Sequence, residues 1–170
     1  MASFVNTAVT ERYVIKMAVN RGKKFEEVVR KAFQKVDGVS IDRLADPMAG
    51  YAGVRNVCDF IVYKYPHQYY VECKSVHGNT LPFSNISDNQ WKGLLEKSKI
   101  NGVHAGILCW WVDKDVTAWL PIEELTVYRE YSKSVKYCDP HPRSHIPGKK
   151  KRVFYEYDMN KFFEEMEKRK

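Results

Sequence analysis

The stretch "VHAGILCWW", residues 103–111, is apolar almost throughout. It falls well short of the roughly 20 residues a membrane span needs. An unbroken apolar run this short reads as a strand buried on both faces. Such a strand needs helices to cover its sheet, and the chain supplies them. Phe25, Val28, Val29, Ala32, Phe33 and Val36 recur at helical spacing, with Asn20 placed to cap the helix and Gly38 to stop it. Ser87 starts another helix, with Trp91, Leu94, Leu95 and Ser98 on one side and Gly102 at its close. Further helices are predicted over about 122–132 and from about 159. Strands are predicted at 39–44, 57–65, 69–76, 116–121 and 152–157. The second and third of these are separated by "PHQ" and pair as a hairpin. Residues 45–53 form a turn-rich connector and 77–86 a loop. The resulting order, α-β-β-β-α-β-β-α-β-α, predicts an α/β fold with a mixed central β-sheet flanked by helices. The 170 residues suit one domain, 20–170, preceded by a weakly periodic arm at 1–19.

The opening "MASFVNTAVTERYVIKM" has no charged start followed by an apolar block, so the chain reads as cytosolic. Cys58, Cys73 and Cys109 lie in strand-like runs and read as reduced, apolar packing residues. Cys138, His141 and His145 make a C-x2-H-x3-H spacing, but a structural zinc site wants four ligands and no second pair is evident. A basic loop is the simpler reading there.

The formal charge is +7, from 28 Lys and Arg against 21 Asp and Glu, and such an excess suits a polyanionic partner. Arg143, Lys149, Lys150, Lys151 and Arg152 fall in an acid-free stretch, and Arg21, Lys23 and Lys24 open the first helix. Both clusters are candidates for phosphate contacts, although solvated loop and helix-end charges would look the same.

One stretch resists a purely structural account. "YYVECKSV", residues 69–76, puts Glu72 and Lys74 in a strand otherwise made of aromatic and apolar residues. Residues two apart on a strand share a face. In the predicted hairpin Asp59 lies across from 72–75, so two acids and a lysine converge. Burying two carboxylates together is costly, because they repel and one tends to take up a proton. A divalent cation removes that objection. Mg²⁺ favours one or two carboxylates with waters and substrate phosphate. Lys74 would then stabilise charge building on phosphorus or hold the attacking water. The pattern also fits an ordinary ion pair on an exposed sheet face. It is, however, the only Asp/Glu-x-Lys in the chain, and it follows directly on "CDFIVY" with its lone acid.

Asp59, then twelve residues, then Glu72-Cys-Lys74 resembles the D…(D/E)-x-K core of the PD-(D/E)XK nuclease superfamily. More narrowly, "RGKKFEE" (21–27), "DFIVYKYPHQYYVECKS" (59–75) and "LPFSNISDNQWKGL" (81–94) resemble the opening helix, catalytic hairpin and following helix of RecU-type Holliday junction resolvases. The similarity runs from about residue 20 to 125. The resemblance implies Asp59, Glu72 and Gln90 as metal ligands for Mg²⁺, with Mn²⁺ as a substitute. It implies Lys74 as the residue that stabilises the transition state. It implies Glu26 as the first-helix acid that assists the site, and helix spacing favours it over Glu27, which groups with Arg30 and Lys31 on the wet side. The expected activity is paired nicking of four-way DNA junctions by a homodimer, with a recombinase as a further partner. Rivals are a PD-(D/E)XK nuclease acting on other DNA, or a non-catalytic DNA-binding module. Two departures from the family stand out: Val57 replaces a usual threonine, and the 45–56 connector is shorter than the stalk-forming region of bacterial relatives.

Overall fold

Alternation along strand β3 (His67–Val76) decides the architecture, because successive strand side chains point to opposite faces. Tyr69, Val71 and Cys73 point to one face; Tyr70, Glu72, Lys74 and Val76 point to the other. The computed structural model describes residues 21–44, 56–139, 144–150 and 155–168. The predicted arm, Asn20, His141, Arg143, Lys151 and Arg152 lie outside the described residues.

Helix α1 (21–33) and helix α4 (Met159–Glu167) cover the first face. Phe25, Val29, Phe33, Phe162 and Phe163 pack there with Val62, Tyr69, Val71 and Trp119. Helices α2 (Asp88–Ser98) and α3 (Ile122–Tyr128) cover the second face, where Trp91, Leu94, Ile122 and Leu125 meet Ile107, Cys109, Trp111 and Leu120. The main sheet runs β1 (Val39–Arg43), β2 (Phe60–Lys64), β3, β5 (Val103–Trp111), β6 (Val116–Pro121), β8 (Ser144–His145). Among the described strands of this sheet only β3 and β5 are parallel, and every other pair is antiparallel. A parallel pair needs a long crossover. Strand β4 (Thr80–Pro82), the 3-10 turn Phe83–Asn85 and α2 provide it. The expected mixed sheet flanked by helices is therefore what the chain adopts, and β5 is buried from Ala105 onward, as its apolar run requires. Among the described residues no helix is long and apolar enough to cross a membrane.

Several boundaries differ from expectation. Lys64 pairs with His67, so the hairpin turn is Tyr65-Pro66, joined by a cis peptide, rather than 66–68. Helix α3 stops at Tyr128 because Lys133 gives its carbonyl to Phe83 N–H and commits the chain to a ribbon of β4 with β7 (Ser134–Lys136). Residues 77–86 are not an open loop. The Asp113 carboxylate accepts Gly78 N–H at 2.7 Å and contacts the His77 ring at 2.8 Å, while Leu81 and Phe83 are buried. Likewise β9 (Gly148–Lys150) pairs with β10 (Tyr155–Tyr157) inside the expected basic loop.

Gly106 sets the spacing between β5 and β6. A Cβ there would overlap the Leu120 carbonyl oxygen and lie 2.9 Å from Trp119 Cζ2. Backbone cannot swing away as a side-chain tip can, so Gly106→Ala should cost about 1–3 kcal/mol through overpacking. Thermal unfolding would register this as a fall of roughly 2–10 °C in Tm. An unchanged Tm would mean the two strands have slack at this point.

Candidate active site

Asp59 immediately precedes β2, yet the ladder already holds it. Its N–H donates to Val71 O at 3.2 Å and its carbonyl accepts Leu44 N–H at 2.9 Å. Its side chain turns across the hairpin, where Oδ2 accepts Cys73 N–H at 2.8 Å. This is the placement the hairpin reading predicts. Glu72, on the second face of the sheet, is only 3% exposed. Its Oε1 accepts Lys74 Nζ at 2.8 Å and Gln90 Nε2 at 2.6 Å. An ion pair on an exposed sheet face is therefore excluded for these two residues.

The local sequence explains how Gln90 arrives. Ser87 caps α2, its hydroxyl accepting Gln90 N–H, while Gln90 Oε1 accepts Ser87 N–H at 3.1 Å. This reciprocal capping box fixes the amide orientation. With its oxygen committed to Ser87, and to Lys74 Nζ at 3.4 Å, Gln90 must present its NH₂ to Glu72. One turn-forming device thus closes a ring of Glu72, Lys74 and Gln90.

The pair of acids is under-compensated. Burial, and then the neighbouring Glu72 charge, pushes the Asp59 carboxyl up to about 7, against smaller opposing effects from Cys73 N–H, Lys74 and Arg43. Burial also raises Glu72, opposed by Lys74 and Gln90 and reinforced by Glu26. The Cys58 thiol is pushed up to about 12, first by burial and then by Glu72 and Asp59, so it stays protonated beside them. Hard carboxylate oxygens short of positive charge suit Mg²⁺ in donor type. Among the described residues no group of three or more His, Cys, Asp or Glu side chains forms a ready-made cage.

Glu26 lies on the inner side of α1, and its carboxylate meets Arg43 of β1 at 2.9 Å. Glu27 faces outward and pairs with Lys31 at 2.7 Å, as helix spacing predicts. Glu26, Arg43, Lys23, Arg30 and Phe60 line a small cavity of about 250 Å³. Arg30 was expected on the wet side of the helix, and Arg43 escaped the sequence reading because it sits in no basic run and reaches Glu26 only through β1–β2 pairing. Of the predicted phosphate contacts, Lys23 and Lys24 are exposed and Arg21 is half-buried on α1. Lys149 is exposed on β9, opposite Glu156 of β10. Lys150 pairs with Tyr155 in the same ribbon.

Val57, the departure from the expected threonine, has a packing role. A Cβ on Gly93 of α2 would overlap Val57 Cγ1 and lie 2.9 Å from Val57 Cβ. Gly93 therefore lets α2 sit close enough for Gln90 to touch Glu72. Gly93→Ala should lower Tm by roughly 2–10 °C. Adding Val57→Ala, which empties the opposing space, should recover most of the loss in the same measurement. No recovery would refute the contact as its cause.

No family model matches the chain, and no curated protein matches it. Among solved structures, the chain is similar to Hjc, a Holliday junction resolvase from the archaeal hyperthermophile Archaeoglobus fulgidus. The two share 17% identity, with 61% of this chain and 74% of that one covered, at a TM-score of 0.45.

Proposed function

We propose that the protein is a Mg²⁺-dependent, structure-specific endodeoxyribonuclease that resolves four-way DNA junctions by paired nicks. The observation that carries this reading is the buried Glu72 carboxylate, bonded to both Lys74 and Gln90, in the strand that also ties down Asp59. Asp59 and Glu72 would hold the cation, and Mn²⁺ would substitute; Gln90, the third candidate ligand, would join them only by releasing its oxygen from Ser87 N–H and Lys74. When bound, Mg²⁺ supplies Lewis acidity to the phosphate and lowers the pKa of a water.

The rest is the work of the chain. Lys74 is one-fifth exposed while Glu72 is buried, so the ammonium is the member of the pair that an arriving phosphate meets. It can turn from Glu72 towards a phosphoryl oxygen, where charge accumulates in the transition state. Gln90 steadies both, since its amide bridges acid and lysine. Glu26 adds negative potential from α1, where it pairs with Arg43 at the margin of the site. Phosphate contacts along the DNA would come from the α1 cluster and from Lys149 and its basic neighbours. Cutting opposed strands together requires two active sites, hence a homodimer. A recombinase is a further proposed partner.

The test is nicking of a mobile four-way junction, a flap and linear duplex at one Mg²⁺ concentration. Junction cleavage at least about tenfold faster than the others, with symmetrical nicks, is expected. Equal cleavage of duplex would make it a PD-(D/E)XK nuclease for other DNA. Binding without cleavage in Mg²⁺ or Mn²⁺ would make it a non-catalytic module.

A further inference from the structure

We infer that a groove beside α2, outside both predicted basic clusters, binds the DNA backbone and that Arg129 is its fixed anchor; this rests on the nuclease reading. Phe83, Ser84, Ser87, Asp88, Arg129 and Lys133 are among the residues lining this open cavity of about 670 Å³. It adjoins the candidate active site through the capping box, since Ser87 N–H holds Gln90 Oε1 and Gln90 Nε2 holds Glu72.

Arg129 is exposed, but it is not a loose surface charge. Its guanidinium carbon lies 4.5 Å from the centre of the Trp91 ring, within cation–π range. That ring is fixed in turn. Trp91 is buried, Phe83 packs edge-on against it at 5.4 Å, and its Nε1–H donates to Thr126 Oγ1 at 3.1 Å. Thr126 donates to Ile122 O at 2.7 Å, tying the ring to α3. The chain has thus built a platform for a planar cation. Neither Arg129 nor Lys133 forms an ion pair with a described residue. Asp88 is an acid on the groove wall, one negative charge against two positive ones. A guanidinium held over a fixed ring, with its N–H donors unclaimed by any described carboxylate, suits a phosphate's paired oxygens. Because the groove lies one helical turn from Gln90, a strand in it would run on to the acid pair.

The experiment measures binding of a fluorescently labelled four-way junction to the full chain in EDTA, across a series of NaCl concentrations. Arg129→Ala should weaken binding about tenfold at moderate salt and lower the slope of log K against log salt by about one. Arg129→Lys, which keeps charge but not the planar stack, should retain the slope and recover affinity only in part. Lys97→Ala is the control. It removes an equal charge from the far end of α2, where Lys97 sits 5.5 Å from the Tyr70 ring, and should leave the slope unchanged. If wild-type protein binds steeply with salt while Arg129→Ala behaves as Lys97→Ala does, the groove is not a DNA site, although the nuclease reading survives. If wild-type protein binds neither junction nor duplex, the nuclease reading falls and the groove with it.

Discussion

Asp59→Asn should abolish cleavage and at the same time make the metal-free protein more heat-stable at alkaline pH. Both halves come from one carboxyl. Losing a ligand oxygen's charge from a metal site removes several kcal/mol of transition-state stabilisation, so a rate loss of about 10³-fold or more is expected. Stability moves the other way. The Asp59 carboxyl is held near 7 in the fold, against 3.8 as its ordinary value. Between those values the folded state binds more protons than the unfolded state, so stability falls as pH rises, and the penalty is complete above about pH 7. Asparagine keeps an oxygen for Cys73 N–H and carries no charge to desolvate. In EDTA at pH 8, Asp59→Asn should therefore raise Tm by roughly 3–8 °C, with the gain shrinking towards pH 4. Scanning calorimetry at both pH values, with cleavage measured alongside, checks the pair. A variant that is inactive and less stable at pH 8 would show that the carboxylate is not under-compensated and would remove the electrostatic case for a cation.

The opposed demands on Asp59 also mark how far the sequence alone could be read. Pattern sufficed where one physical preference acted without competition. The buried run at 103–111, the helical spacing from Phe25 to Phe33 and the capping signal at Ser87 each produced the element expected, although α1 ends at 33, before Val36 and the predicted stop at Gly38. Glu72 and Lys74 were legible as a pair because alternation along a strand leaves two residues at i and i+2 no choice but to share a face. Contacts that depend on strand order were not legible. Arg43 meets Glu26 across α1 and β1, and Arg129 meets Trp91 across α3 and α2; neither spacing carries a signal in one dimension. The segment 77–86 misled for a related reason. Its Gly, Asn and Pro content reads as loop, but Leu81 and Phe83 find a core supplied by residues far along the chain. Val57 reads as a departure from a usual threonine when compared with a motif, and as the counterpart of Gly93 once α2 is in place.

Lys74→Ala should lose activity too, but with the reverse effect on stability, and that contrast separates the two residues' roles. The ammonium is the strongest influence opposing burial at Glu72. Removing it leaves a buried carboxylate with Gln90 Nε2 as its remaining side-chain donor among the described residues. Truncating one member of a hydrogen-bonded charge pair costs about 1–3 kcal/mol, and more in full burial. Lys74 is partly exposed, so the lower range applies, a fall of roughly 2–10 °C in Tm. The sign of its pH dependence follows from linkage. Without Lys74 the Glu72 carboxyl rises further, so the folded state holds its proton over a wider range and stability declines more steeply with rising pH. The variant should therefore lie closest to wild type near pH 5 and furthest below it at pH 8. Cleavage should drop about 10²–10³-fold, the scale for removing one preorganised donor from a developing oxyanion. Junction binding measured in EDTA should hold, because a single phosphate contact among many is lost. Lys74→Arg should recover the stability before the activity, since a guanidinium neutralises Glu72 but does not place its donors where the ammonium stood. If Lys74→Ala were as stable as wild type at pH 8, Glu72 would have to be protonated in the native protein at that pH. A neutral Glu72 could not serve as the second carboxylate of a metal site, so this one measurement bears on the whole assignment.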